Sequence, residues 1–310
     1  MRYFIITICA ILALTACGNG DKKATEAKPK SYKFVYVQPP MQSSDRDKFL
    51  FMREHFWDKF DFADSLYTTK ADTLDILKAY MTYVSNFVGA VDQEPIRMLM
   101  RKASASKPMF QYFVSLSERL FHDPNSPMRS DELYIAVLEA QLASPYLDKY
   151  EKMAPEYDLR IASQNRINHK ANNFRYTLRS GATRELYKLN ADFTIIYINN
   201  PGCPMCRDIT TALKESELIS ALIKQGTLKI LAIYPDEQLD EWHKHMKDFP
   251  ASWINSYDHG CHISREQLYD LRAIPALYLV DRDKRVIIKD STNVGEIEYV
   301  LSQIMQQSAQ

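Results

Sequence analysis

The chain has 310 residues, room for two domains at roughly 100–200 residues each. Its 39 Lys and Arg residues balance 39 Asp and Glu, which removes the basic footprint of a dedicated nucleic-acid binder. Only 8 residues are glycine, well under half the usual share of about 7%. None of them has P-loop or G-x-G-x-x-G spacing, which argues against chemistry on a Gly-rich phosphate cradle.

The first segment reads as an address. Arg2 precedes an uncharged apolar run from Tyr3 to Leu14. That run is shorter than the roughly 20 residues a bilayer span needs, but it suits the core of a signal peptide. It ends in Leu14-Thr15-Ala16-Cys17, which resembles a bacterial lipobox. The resemblance implies cleavage before Cys17 and lipidation of its thiol, so that the acyl chains anchor the protein. An ordinary cleaved secretion signal is the alternative. Either way the expected location is the bacterial cell envelope, with the protein periplasm-facing, on the outer or inner membrane, where disulfide chemistry is permitted. Residues 1–16 are then the leader and 17–35 a Lys/Glu/Ala/Gly-rich solvated tether.

From 36 to 170 the pattern is helical. Ser44, with Asp47 three residues on, predicts a helix start, and Phe49, Met52, Phe56 and Phe60 predict its inner face. Leu74, Leu77, Met81, Val84, Val88 and Val91 predict a second. Pro95 and Pro108 suit first helical turns, and Phe110, Phe113, Leu116 and Leu120 mark the latter helix. Asp123-Pro124-Asn125-Ser126-Pro127 breaks it, and Ser130 predicts a cap for a segment with Leu133, Val137 and Ala140. His55, His122 and His169 stand apart from any cysteine. The aromatic stripe around Phe56 and Trp57 reads as core, and the expected role of this part is partner docking or dimerisation.

From about 171 the period changes. Phe174–Leu178 alternates, Ser180-Gly181 turns, and Glu185–Tyr187 predicts a hairpin partner. Phe193–Ile198 and Leu228–Tyr234 predict strands buried on both faces. Ile209, Leu213, Leu218 and Leu222 predict one helix, Glu237–Lys247 another. Leu277–Val280 and Arg285–Ile288 predict a hairpin around Asp281–Lys284, and Gly295–Met305 a closing helix. The fold class is α+β overall: an all-helical N-terminal domain, then an α/β domain over 171–310.

Cys203-Pro204-Met205-Cys206 follows the first buried strand directly. At a strand-to-helix junction Cys203 meets unpaired backbone N–H groups and the positive end of the helix dipole, which favour a thiolate. Cys206, one turn on, is placed to form and reopen a disulfide with it. Cys203 is therefore the candidate nucleophile and Cys206 the resolving thiol. Zinc held by this pair with Cys261 and His262 is the competing reading; the helix start favours redox chemistry, and no metal is expected. Cys261 reads as a small buried residue, and His243 and His245 as part of a solvated helix face.

The strand, the C-P-M-C sequence and Arg272-Ala273-Ile274-Pro275-Ala276-Leu277 together resemble the thioredoxin fold, in particular its TlpA-like, membrane-tethered thiol-disulfide oxidoreductase branch. The N-terminal layout resembles a helical domain of unknown function found before thioredoxin domains in bacterial envelope lipoproteins. The resemblance implies that Pro275 is a cis-proline facing the cysteine pair and that Ile274 offers backbone to an extended substrate. It implies no cofactor beyond a redox-active Cys203–Cys206 disulfide. The partners implied are disulfide-bearing protein substrates, a membrane electron donor, and the membrane itself through the lipid on Cys17. Two positions depart from the family. Gly202 stands where Trp is common, and Tyr197 where thioredoxin has a buried acid, which leaves Asp236 or Glu237 as candidate proton acceptors. The expected function is reduction of protein disulfides. A non-catalytic partner-binding scaffold is the main alternative, and a disulfide-forming oxidase a third.

Overall fold

Serine and proline punctuation sets the helices of the first half. The computed structural model describes residues 31–308; the leader and Cys17 lie outside them. Helix α1 (Asp45–His55) starts at Ser44, whose hydroxyl accepts the Asp47 N–H, an ordinary N-cap. It is followed by α2 (Tyr67–Lys70), α3 (Thr73–Phe87), α4 (Glu94–Ala103) and α5 (Lys107–Ser117). Pro95 and Pro108 occupy the first turns of α4 and α5, where a missing N–H costs no hydrogen bond. A π-helical turn over Glu118–His122 extends α5. Ser130 caps α6 (Asp131–Ala143) by accepting the Leu133 N–H, and α7 (Met153–Ala162) completes the layer.

Two predicted helix faces are mis-phased. Helix α1 buries none of its residues, and Phe49 is 41% exposed. The helix stops at His55, so Phe56, Trp57 and Phe60 enter the core from the turn beyond it. In α3 the inward residues are Ile76, Ala79, Tyr80, Tyr83 and Val84, whereas Leu74 is 54% exposed and Val91 lies past the helix end. Tyrosine wins these positions because each hydroxyl finds a partner. Tyr80 shares a hydrogen bond with Ser117 Oγ at 2.9 Å, and Tyr83 donates to the Arg53 carbonyl at 2.9 Å. A satisfied hydroxyl leaves the whole ring free to contribute its burial. The rings interlock, Trp57 meeting Phe113 edge-on at 5.4 Å.

The second half forms one seven-stranded sheet. Its strands are β1 (Arg175–Leu178), β2 (Thr183–Glu185), β3 (Phe193–Ile198), β4 (Leu228–Tyr234), β5 (Ile254–Tyr257), β6 (Ala276–Asp281) and β7 (Val286–Ser291), in spatial order β2-β1-β5-β4-β3-β6-β7. Strands β3, β4 and β5 run parallel, and the other neighbours are antiparallel. Strand β3 lies between β4 and β6 with a core packed on each side of the sheet, so both of its faces are buried. Ile195 and Tyr197 face one core with Leu213, Ile297 and Leu301, while Ile196 and Ile198 face another with Tyr269, Tyr278 and Val286. The covering helices are α8 (Pro204–Glu215), α9 (Glu217–Gln225), α10 (Leu239–His245), α11 (His262–Arg265) and α12 (Val294–Ser308). The single helix predicted from Ile209 to Leu222 is in fact α8 and α9, divided at Ser216, which closes the first and caps the second by accepting the Ile219 N–H. Of the expected hairpin partner Glu185–Tyr187, Glu185 lies in β2, while Leu186 and Tyr187 belong to a 3₁₀ turn over Leu186–Lys188. Strand β5 was not foreseen.

The helical layer and the sheet share buried charge, and from Tyr32 onward the chain is one compact unit. Lys289 on β7 donates to the carbonyls of Ala162 (2.7 Å) and Gln164 (2.6 Å), at the negative end of α7, and pairs with Asp131 at 2.8 Å. Arg129 donates to Asp270 at 3.0 Å and pairs with Asp290. Arg272 donates to Asp270 at 2.7 Å and meets His122 Nε2 at 2.7 Å. Three carboxylates thus lie among three cations. Burial opposes charge on Asp270, but the hydrogen bonds from Arg272 and the charge of Arg129 hold its carboxyl below the usual range. Burial pushes Asp290 up to about 7 against the pull of Arg129, with Asp131 and Asp270 adding to the rise.

A carboxyl whose pKa is raised on folding contributes stability that is complete below its unfolded value of about 3.9 and is lost as pH climbs through its folded value. Asp290→Asn should therefore flatten the decline in stability between about pH 4 and pH 7. Urea midpoints across that range check this, and an unchanged slope would refute it.

Candidate active site

Strand β3 ends at Ile198, and four residues later the chain has turned into α8. Within Asn200-Pro201-Gly202-Cys203, the Cys203 N–H donates to the Asn200 carbonyl at 3.3 Å, and Gly202 takes φ 78°. Proline then glycine at the two central positions is the preference of a type II turn. Gly202 is thus the residue that adopts this backbone without strain.

Cys203 is the N-cap of α8 and Pro204 its first residue. The Cys203 Sγ accepts the Cys206 N–H at 3.4 Å, so this sulfur occupies the place of a capping oxygen, where the helix start favours negative charge. Cys203 is half-buried, Cys206 buried, and both are free thiols, as is Cys261. The Cys206 Sγ accepts the Asn200 N–H at 3.4 Å. Burial outweighs that hydrogen bond and pushes the Cys206 thiol up to about 12. The two sulfurs differ in access and environment although they are one helical turn apart.

Tyr197 underpins the pair. Its hydroxyl donates to the Cys206 carbonyl at 2.6 Å and lies 3.1 Å from Thr210 Oγ1. Burial holds the phenol far above its usual range, so this group is a neutral clamp on the first turn of α8. Its sequence position, six residues before Cys203, was visible; the bond was not.

Ala276 pairs with Ile198 across β6 and β3, which places the preceding residues at the sheet end where Cys203 emerges. There the Ile274–Pro275 peptide bond is cis. Pro275 is buried and Ile274 packs partly into the core around Tyr278.

A cavity of about 430 Å³ opens beside the sulfurs, lined by Asn199, Cys203 and, on α8, Cys206, Thr210 and Lys214, together with His245, Lys247 and Phe249 from the end of α10 and beyond. His245, on the helix face read as solvated, is partly exposed and also lines this cavity, with Nδ1 2.8 Å from Asp248 Oδ2. Only the Asp three residues later hinted at an oriented imidazole. Ile274, Pro275, Asp236 and Glu237 do not line this cavity. Glu237 is exposed and pairs with Arg265 at 2.8 Å. Asp236 and Glu237 act instead on Cys261, whose thiol is raised by burial and then by their charges. Cys261 precedes α11 without a side-chain capping bond, and neither it nor His262 lines the cavity. Among the described residues, metal-ligating atoms converge only at Asp131, Asp270 and Asp290, where Arg129, Arg272 and Lys289 already match the charge.

The solved structures include a thioredoxin-like protein from Bacteroides caccae that is 42% identical, spans 88% of this chain and 99% of its own, and superposes with a TM-score of 0.82. The chain belongs to the thioredoxin-like family. A family profile described as a domain of unknown function, DUF5106, matches residues 15–165 of this chain. It is also similar to the C-terminal domain of an uncharacterised Bacteroides fragilis protein, at 47% identity over 44% of this chain and 98% of that one, with a TM-score of 0.44. A Bacteroides fragilis protein of unknown function matches at 35% identity over 44% and 98%, with a TM-score of 0.42. No protein of curated function matches.

Two outcomes follow from the unequal sulfurs and the clamp. Brief alkylation of the reduced protein near pH 8, read by peptide mass spectrometry, should label Cys203 at least tenfold (roughly) faster than Cys206, because the thiolate is the reactive form; equal labelling would contradict this geometry. Tyr197→Phe leaves the Cys206 carbonyl without its hydroxyl donor and should cost about 1–3 kcal/mol in chemical denaturation.

Proposed function

We propose that this thioredoxin-like protein is a thiol-disulfide oxidoreductase that reduces protein disulfides at the bacterial cell envelope. The observation that carries the reading is the pairing of an accessible sulfur at the start of α8 with a buried one a turn later. Cys203, as thiolate, attacks one sulfur of the client disulfide. The client S–S bond breaks, its other sulfur leaves as a thiol, and a mixed disulfide joins client to Cys203. Cys206 then gives up its proton into the cavity where His245 stands and attacks the Cys203 sulfur. The second client thiol departs, leaving the client reduced by two electrons and Cys203–Cys206 oxidised. A membrane electron donor returns the pair to the dithiol. Ile274, before the cis bond, offers backbone to the extended client, and the Cys203–Cys206 disulfide is the only redox group required. The TlpA-like assignment and the lipid on Cys17 belong to the same reading, since a tethered reductase stays beside its donor.

The decisive experiment is thiol trapping in cells. Cys206→Ala should accumulate reducible adducts through Cys203 on non-reducing gels, and Cys203→Ala should abolish both adducts and disulfide turnover. If Cys203→Ala retained full activity and every partner, the chain would be a binding scaffold instead. For the anchor, Cys17→Ala should move the protein from the membrane pellet to the soluble fraction.

A further inference from the structure

The chain's charges balance overall, yet the charged residues lining one groove among the described residues are mostly cations. This groove, about 1010 Å³, lies between the β1–β2 hairpin and the segment that joins α10 to β5. Its cations include Arg179, Arg184, Lys188, Lys229 and Lys247, and among the described residues none of these five has an ion-pair partner. Its single carboxylate, Glu185, faces Arg175 at 3.8 Å. The groove shares Lys247 and Phe249 with the cavity beside Cys203 and Cys206, so one cationic surface runs from the hairpin to the reactive sulfurs. Arg207 and Lys214 extend it at the sulfur end, where the one carboxylate, Asp248, is engaged by His245.

We infer that the client of this site is an acidic polypeptide, its disulfide at Cys203 and its flanking carboxylates in the groove beyond Lys247. The inference rests on the thiol-disulfide reading above and adds a substrate class to it. Three observations select a polypeptide over other polyanions. The groove leads to sulfur chemistry, for which nucleic acids and polyphosphates carry no substrate. Leu178, Met246 and Phe249, all half-buried, line it, surfaces that suit interspersed apolar side chains. Its volume is at the top of the 300–1,000 Å³ range of small-ligand pockets, as a peptide segment requires. Unpaired cations along a cleft raise the local concentration of an oppositely charged partner and its rate of encounter.

The test compares kcat/KM of the full chain on two disulfide-bridged peptides, identical except for Asp or Lys beside the bridge, with neutral bis(2-hydroxyethyl) disulfide as the reference in every preparation. At low ionic strength the Asp peptide should be favoured over the Lys peptide by roughly tenfold or more, and the ratio should fall toward one in about 0.5 M salt. In the R184Q/K188Q/K229Q variant most of the preference should vanish relative to the neutral reference. Equal rates on the two peptides, or a preference that survives both salt and the triple substitution, would overturn the inference. So would binding of anionic lipid vesicles without discrimination between the peptides, which would make the groove a membrane face. If the wild type turns over none of the three disulfides, the redox reading fails. Anisotropy of the two labelled peptides on the same protein then decides the groove: tighter binding of the Asp peptide supports it, and equal binding overturns it.

Discussion

Everything at the reactive end depends on where α8 begins. The helix has to start at Cys203, because Pro204 lacks the N–H an interior position needs and Gly202 is in the left-handed region just before it. The start is held from behind by β3, which is locked between β4 and β6, and from below by Ile209 and Leu213 in the core under the sheet. With both ends fixed, the sulfur of Cys203 becomes the cap of its own helix. The difference between the two cysteines is therefore set by the backbone, which puts one sulfur at a helix start and buries the other.

The helical layer is coupled to that end by charge. Asp270 and Arg272 precede Ile274–Pro275 by a few residues, and Arg129 and His122 of the layer meet them. Matched buried charge adds little to net stability beside well-packed apolar contacts, but any docking that strands one member is heavily penalised. The cluster thus fixes how the layer sits against the loop leading to the cis bond. The helical layer in this way has a hold on the end of the sheet that carries Cys203 and Cys206.

Much of this architecture was legible in the residues. Caps at Ser44 and Ser130, the opening prolines of α4 and α5, and strands β3 and β4 follow from local rules that act within a few residues. What failed was phase and long-range placement. The α3 face was drawn through Leu74 and Val91 because tyrosine reads as half-polar until its hydroxyl partner is known, and Ser117 and Arg53 are distant in sequence from Tyr80 and Tyr83. Strand β5, four residues long and half-buried, carries no pattern of its own and exists because β4 and β1 pair with it. The cysteine pair was plain from spacing and position, but part of the lining of its cavity comes from residues 245–249, which nothing near Cys203 announces. The charged groove was hidden for the same reason: its cations come from the hairpin, β4 and the α10–β5 segment, and only the fold gathers them.

The segment between the helical layer and the sheet has an effect beyond joining them. Ile167 and Lys170 bridge to Val286 and Arg285, and the Val286 N–H is taken by the His169 carbonyl, so the outer side of β7 is occupied where that strand begins. An extended foreign chain finds no open rung there on which to add itself as an eighth strand. At that first rung the protein's own linker takes the hydrogen bonds that a passing strand would need.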